Sequence, residues 1–180
     1  RLDFALALIE IMCHFIVANI ERRKFISELE NISYTDQLTG FGNRYALTGF
    51  KKYLSSKRTV IVFCDIVGLK HINDTQGHVA GDAYIKACCE DLRECFSGAE
   101  FFRVGGDELL VVLADTTKTR FMNNIKALKK SFKEKEVNLS VGSVYVKGEL
   151  DFDKALQEAE NLMYEDKDNY YRKSGIDRRL

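Results

Sequence analysis

The sequence predicts an α/β protein in which a mixed central sheet is flanked by helices and preceded by one long helix. Three patterns support this fold class. The run RTVIVFCDI, residues 58–66, is continuously apolar and rich in β-branched residues, as in a strand covered on both faces. Two further strand patterns flank Gly105 and Gly106, which favours a tight hairpin. Amphipathic helical patterns alternate with these strands, so helices are expected to pack against the sheet.

The first helical pattern runs from the N-terminus to Ile32. Its apolar residues follow alternating spacings of four and three, the a/d seam of a coiled coil, and Arg22 interrupts it. The seam comprises Phe4, Leu8, Ile11, Phe15, Ala18, Arg22, Phe25, Leu29 and Ile32. Residues 1–33 are therefore predicted to form a signalling stalk that pairs with a second copy, while residues 34–180 form the globular domain. A helix packed on its own domain is the alternative.

Residues 1–20 are apolar enough to suggest a membrane span, but Glu10 and His14 lie mid-segment. A charge at a helix centre costs about 3 kcal/mol on insertion scales, so no span is expected. The chain starts at Arg1 without a signal pattern, which suggests a fragment of a longer protein.

The remaining elements follow in order. NRYALTGFKKYLSS has helical spacing, GLKHIND reads as a short helix that Gly77 ends, and HVAGDAYIKACCEDLRECF is a long amphipathic helix. The hairpin strands AEFFRV and LLVVLAD come next. TKTRFMNNIKALKKSFKEKE then predicts a helix, VNLSVGSVYV a strand, and DFDKALQEAENLMYEDKDNYYRK a last helix.

The balanced charge of the chain argues against some classes of binding partner. The chain carries 27 basic and 27 acidic residues, so no overall field attracts nucleic acid or anionic lipid, and neither is expected as a partner. The five cysteines lack paired CxxC spacing, which indicates reduced thiols of a cytoplasmic protein.

Carboxylates stand at two places where strand patterns end. Asp65 closes the buried strand, next to a helix start whose backbone N–H groups can bind an anion. Asp107 and Glu108 lie at the hairpin tip. If the hairpin lies beside the strand, Asp65 and Asp107 can share a divalent ion, and Mg²⁺ favours one or two carboxylates plus substrate phosphates. The alternatives are a helix N-cap for Asp65 and a merely soluble turn for the hairpin acids.

Three motifs, DQLTGFGNR, DIVGLKHINDTQGHVAGD and RVGGDEL, resemble in order and spacing the GGDEF family of diguanylate cyclases. The resemblance covers about Asp36 to Tyr171. It implies a palm-like sheet and the condensation of two GTP into cyclic dimeric GMP (c-di-GMP), with release of two pyrophosphates, in bacterial second-messenger signalling. The first part of the stalk resembles the last helix of GAF sensory domains, which implies an upstream sensory domain.

The resemblance also implies roles for the acidic residues. Asp65 and Asp107 would hold two Mg²⁺ (or Mn²⁺) ions, assisted by the carbonyl of Ile66. Such ions would neutralise the triphosphate and lower the pKa of the attacking 3′-hydroxyl. Glu108 is implied as a metal contact or a proton acceptor.

By the same resemblance, Asn73 and Asp82 hold guanine. Asp82 can accept from N1–H and the 2-amino group, and the Asn73 amide can donate to O6 or N7. A helix stop for Asn73 and a first-turn helix acid for Asp82 are the alternatives. Leu38 would line the base pocket, or is a core leucine. The implied phosphate contacts are the N–H groups of Gly68 and Leu69, Lys70 nearby, and Lys167, whose alternative is a solvated helix residue.

The sequence departs from the family pattern at four places. Val67 replaces a common polar residue, Leu109 replaces Phe, and Tyr171 stands where an arginine is expected, with Arg172 one position late. The inhibitory RxxD tetrapeptide falls on FSGA, residues 96–99, and is absent. An active cyclase is the favoured interpretation. The alternative is a catalytically degenerate GGDEF domain that acts as a GTP-binding or protein-interaction module.

Overall fold

A computed structural model describes residues 2–135 and 137–174. Its elements are α1 (Leu2–Tyr34), α2 (Arg44–Tyr53), β1 (Arg58–Ile66), α3 (Leu69–Gln76), α4 (His78–Cys95), β2 (Glu100–Arg103), β3 (Glu108–Leu113), α5 (Lys118–Lys135), β4 (Leu139–Lys147) and α6 (Phe152–Ser174). Each predicted helix and strand is present. Within the described residues, no helix combines the length and apolarity needed to cross a membrane.

The four strands form one sheet in the order β2-β3-β1-β4. All three strand pairings are antiparallel, and one parallel bridge joins Gly42 to Phe102 at the edge. The central strand β1 is buried from Thr59 to Ile66 because helices cover both faces of the sheet. The predicted α/β fold class is confirmed, but the described strands pair antiparallel throughout, whereas the sequence predicted a mixed sheet.

Two hydrophobic cores lie on opposite faces of the sheet, because successive side chains of a strand point to opposite sides. Val60, Val62 and Cys64 face a core shared with α4 and α5, whereas Ile61 and Phe63 face a core shared with α2 and α6. This agrees with the prediction that β1 is covered on both sides.

The cysteines are all free thiols, and most lie in the core. Burial raises the pKa of Cys88 and of Cys89 to about 12, and it raises the pKa of Cys64 further. These thiols stay protonated near neutral pH and act as small apolar core groups.

Helix α6 makes an unusually close approach to β4 at Gly142. A Cβ built at this residue would lie 1.9 Å from the carbonyl oxygen of Ala159 and 2.3 Å from the backbone nitrogen of Met163. Both are backbone atoms, so they cannot rotate away as a side chain would. The missing side chain at Gly142 therefore sets the distance between α6 and the sheet.

Gly142→Ala is expected to lower the free energy of unfolding by about 3 kcal/mol, at the upper end of what overpacking costs. Urea denaturation measures this. The matched control is Gly49→Ala in α2, because among the described residues no heavy atom lies within 4 Å of a Cβ built there. An unchanged midpoint for Gly142→Ala would show that α6 can move away from β4 without cost.

Helix α1 has 33 residues and spans about 50 Å. Three seam residues are largely exposed: Ile11 is 65% accessible, Phe15 71% and Phe25 62%. The described part of the seam therefore does not pack on the rest of the chain. The side chains of Phe4, Leu8, Leu29 and Ile32, and residues 1 and 175–180, lie outside the described set.

Candidate functional site

Strand register brings the predicted acidic residues to one edge of the sheet. In the antiparallel β1–β3 pair, Asp65 lies opposite Glu108, and the N–H of Ile66 donates to the carbonyl of Asp107 over 2.9 Å. Asp65 is buried, whereas Asp107 and Glu108 are half-buried. Since Gly68 is the residue that precedes α3 as its N-cap, Asp65 does not cap that helix.

The carboxylate of Glu108 lies in a negative environment. Its pKa is raised because burial disfavours the charged form and because Asp107, Asp65 and Glu160 are also acidic, while Arg44 opposes the shift. The side chain folds back over Gly105, where a Cβ would lie 2.3 Å from Oε2. The sequence did not point to Glu160 or Arg44. A bound cation would relieve this repulsion.

Arg103 holds the hairpin in place from the strand before it. Its guanidinium donates to the carbonyl of Gly106 through Nε at 3.2 Å and Nη2 at 2.5 Å. It also lies 3.3 Å from the carboxylate of Asp36, in the turn after α1. This ion pair therefore connects the end of the long helix to the hairpin that carries Asp107.

Asp36 is itself fixed within its turn. Its Oδ1 accepts from the N–H and the hydroxyl of Thr39, at 2.9 and 2.7 Å. Although burial raises the pKa of Asp36, these hydrogen bonds and the charge of Arg103 bring it below its ordinary value. Both residues are the first residues of motifs identified in the sequence, but nothing in the sequence indicated that they pair.

Lys167 reaches the buried carboxylate of β1 from α6. Its Nζ lies 2.7 Å from the carboxylate of Asp65, with 17% of the Lys167 side chain and 6% of the Asp65 side chain exposed. One residue earlier, Asp166 accepts from the N–H of Val141 on β4 over 2.9 Å, which anchors this turn of α6. The sequence predicted Lys167 as a phosphate contact, whereas in this structure it pairs with Asp65.

Asn73 and Asp82, the two residues predicted to bind guanine, line one cavity of about 440 Å³. Its lining is Leu69, Lys70, Asn73, Asp74, His78, Asp82, Ile85, Arg103, Gly106 and Asp107. Asn73 and Asp82 thus share a cavity with one predicted metal ligand. Leu38 is outside this lining among the described residues, and it packs half-buried against the core that contains Ile85.

Neither alternative role fits Asn73 or Asp82. Helix α3 continues past Asn73 to Gln76 and is capped by Gly77. Helix α4 begins at His78 and has no acidic residue in its first turn, so Asp82 lies beyond the reach of the N-terminal dipole. Asn73 is therefore not a helix stop, and Asp82 is not a first-turn acid that stabilises its helix.

The start of α3 offers a place for an anion. Its N-cap, Gly68, has a φ of +82° that favours glycine, and it is exposed. The next two residues, Leu69 and Lys70, line the cavity, with Lys70 exposed. A helix start beside a lysine suits a phosphate group.

A larger cavity of about 810 Å³ lies at the opposite end of the sheet, between residues 54–58 and 148–150. Its lining includes the acidic residues Asp115 and Glu149, and Asp115 already accepts from the hydroxyl of Ser56 at 2.9 Å. None of the carboxylates Asp65, Asp107 and Glu108 is part of its described lining, whereas Asp107 lines the smaller cavity, which is therefore the candidate site.

The donor set suits Mg²⁺ rather than a closed structural metal site. Among residues 2–135 and 137–174, no three His, Cys, Asp or Glu side chains converge as a complete metal site. Two carboxylates, a backbone carbonyl and substrate phosphates are the ligands that Mg²⁺ commonly takes. Asp65, Asp107 and the carbonyl of Ile66 fit that pattern.

The departures from the family pattern fall partly on core positions. Leu109 is fully buried, and Val67 is 4% accessible, with its N–H donating to the carbonyl of Asn138. Tyr171 packs edge-on against Tyr170. Residues 96–99 contain no charged side chain, so they do not present the pair of charges of an RxxD tetrapeptide, and Phe96 is fully buried.

Comparisons with known proteins identify the family. Residues 33–173 match the family model described as diguanylate cyclase, GGDEF domain. Diguanylate cyclase DgcP of Escherichia coli K12 is 33% identical over 153 residues, which is 75% of this chain and 45% of DgcP. Diguanylate cyclase A of Treponema denticola is 32% identical over 120 residues, 61% of this chain and 32% of that protein. The chain thus spans about a third to a half of the length of these relatives.

A solved structure shares the fold. The coiled coil and GGDEF domain of DgcB from Caulobacter crescentus, in complex with c-di-GMP, aligns with a TM-score of 0.77 at 18% identity, covering 89% of this chain and 95% of that one. The match to the family model covers most of the chain, and the sheet carries the GGDE hairpin beside Asp65. The chain belongs to the GGDEF family of diguanylate cyclases.

Proposed function

We propose that this chain is an active diguanylate cyclase that condenses two GTP into c-di-GMP and releases two pyrophosphates. The observation that carries the proposal is the register of β1 and β3, which sets Asp65 opposite Glu108. The neighbour of Glu108, Asp107, lines the same cavity as Asn73 and Asp82. A nucleotide bound there would contact one group of residues through its base and another group through its phosphates.

Asp65, Asp107 and the carbonyl of Ile66 hold the metal ions in this proposal. When bound, Mg²⁺ or Mn²⁺ supplies neutralisation of the triphosphate and a lower pKa for the 3′-hydroxyl. Glu108 stands beside these ligands, and its raised pKa suits a group that exchanges a proton or completes the metal's shell.

Phosphate contacts are assigned to the start of α3 and to α6. In this proposal the triphosphate binds to the N–H groups of Gly68 and Leu69 at the start of α3 and to the neighbouring Lys70. Lys167 balances the charge of Asp65 in the metal-free protein and serves the terminal phosphate when substrate is present.

Guanine is read by Asn73 and Asp82. Asp82 accepts from N1–H and the 2-amino group, and the Asn73 amide donates to O6 or N7. Adenine presents an acceptor at N1, which leaves the carboxylate unpaired. GTP is therefore preferred over ATP. Leu38 is assigned to the apolar side of the base pocket.

Asp82→Ala is expected to reduce the preference for GTP over ATP by about tenfold or more, the cost of an unpaired charge. Competition between the two nucleotides in a binding titration measures this. Asp74→Ala is the matched control, since it removes the same charge from the lining of the same cavity. Retention of full preference in Asp82→Ala would place the base pocket elsewhere.

The proposed enzyme works as a homodimer in the cytoplasm. Each 3′-hydroxyl must meet the α-phosphate of the other GTP, so two domains face each other across a two-fold axis. The exposed seam of α1 joins the two copies, and residues 1–33 act as a signalling stalk below an upstream sensory domain of the GAF type. Residues 34–180 form the catalytic domain.

Incubation of the purified chain with GTP and Mg²⁺, followed by chromatography, tests the proposal directly. Formation of c-di-GMP is the expected result. GTP binding without product would instead support the second candidate, a degenerate signalling module. Tyr171 at the expected arginine position is the observation that favours this second candidate.

A further inference from the structure

The amide of Asn73 packs directly on Gly81, the residue that precedes Asp82. A Cβ built at Gly81 would lie 2.0 Å from Oδ1 of Asn73, 2.9 Å from its Cγ and 3.4 Å from its Nδ2. The three nearest heavy atoms therefore all belong to that one side chain. Gly81 lies inside α4 and is buried, so an ordinary helical residue would be expected here on propensity alone.

We propose that Gly81 is a positioning residue for nucleotide selection. Because Gly81 has no side chain, the Asn73 amide can pack directly against α4, and this contact sets its distance from Asp82. This inference rests on the proposed function. Asn73 belongs to α3 and Asp82 to α4, so the spacing of the two base-reading groups depends on how closely these helices meet. Gly81 lies at that meeting point.

The geometry separates this role from a structural one. The backbone of Asn73 is fixed independently, because its carbonyl accepts from the N–H of Gly77 at 2.9 Å. A methyl group at Gly81 meets a side chain that can rotate, not a backbone that would have to move. Gly81→Ala should therefore leave the fold intact, and the helix propensity of alanine should maintain or raise thermal stability. The amide alone should be displaced.

Binding of 3′-deoxyguanosine triphosphate with Mg²⁺, measured by calorimetry, tests the inference, because this nucleotide lacks the attacking hydroxyl and is not consumed. Gly81→Ala is expected to weaken binding about tenfold, and Asn73→Ala should weaken it to the same extent. The double variant should bind no more weakly than either single one, since both changes remove the same contact. Gly49→Ala, another helical glycine with open space around its Cβ among the described residues, is the control and should bind like wild type.

A parallel titration with 3′-deoxyinosine triphosphate distinguishes a displaced Asn73 from a displaced Asp82. Inosine keeps O6 and N7 but lacks the 2-amino group. Displacement of the Asn73 amide should therefore weaken the binding of the guanosine and inosine analogues by the same factor. A larger loss for the guanosine analogue would mean that Asp82 had moved instead, and additive losses in the double variant would mean a general collapse of the cavity. Either result would overturn the inference.

The failure of the inference and of the proposed function can be told apart. Wild-type chain that binds the guanosine analogue, with Gly81→Ala binding as well as Gly49→Ala, overturns the inference alone. A wild-type chain that binds no guanine nucleotide overturns the proposed function and this inference with it.

Discussion

Asp107→Asn is expected to lower the rate of c-di-GMP formation by about a thousandfold, equivalent to ~4 kcal/mol of transition-state stabilisation. The substitution keeps the shape of the side chain and removes the charge that would hold the metal and, through it, the triphosphate. The fold should survive, because the backbone carbonyl of Asp107, not its side chain, makes the hydrogen bond to Ile66 in β1. Product formed per unit time, followed by chromatography, measures the change.

Asp115→Asn is the matched control for this variant. It makes the same substitution at an acidic turn residue, but at the opposite end of the sheet, where the side chain accepts from Ser56. Its rate should equal that of wild type. If Asp107→Asn kept the wild-type rate while both variants were folded, Asp107 would not be a metal ligand.

Deletion of residues 1–32 is expected to lower specific activity strongly at nanomolar protein and to make the initial rate rise roughly as the square of protein concentration. Two domains must meet for each turnover, and tethering by paired stalks raises their effective concentration towards about the millimolar range. The exposed side chains of Ile11, Phe15 and Phe25 are the described part of the surface that would pair. Initial rates over a dilution series measure the effect.

The deletion leaves Asp36 and its ion pair with Arg103 in place, so the hairpin should stay correctly held. Fusion of the truncated domain to an unrelated parallel two-stranded coiled coil is the control, and it should restore a rate that is linear in protein concentration. Undiminished, linear activity of the truncated chain at nanomolar levels would show that another surface forms the dimer.

The fold could be predicted from the sequence because its elements depend on local patterns. The continuous apolar run of β1, the glycines of the hairpin and the amphipathic helices each depend on neighbouring residues, and short-range periodicity records them directly. The motifs also located Asn73, Asp82 and Asp107, which the structure brings to one cavity. Each motif is recognisable from a few consecutive residues, and the order of the motifs along the chain was enough to predict that they form one site.

The contacts that hold the site together depend on residues distant in sequence. Lys167 and Asp65 are 102 positions apart, and Arg103 and Asp36 are 67 apart. No periodicity connects such pairs, because the strand register and the seating of α6 on Gly142 bring them within reach. The proximity of Glu160 to Glu108 was missed for the same reason.

The sequence by itself determined the α/β fold class, the long N-terminal helix and the identity of the polar residues in the cavity, because each follows from local pattern or motif. Only the tertiary structure decided which of these residues touch. It paired Lys167 with Asp65, and it set the Asn73 amide against Gly81. The physical reason is close packing: where two backbones or a backbone and an amide meet without room for a methyl group, the position of each element depends on all the others.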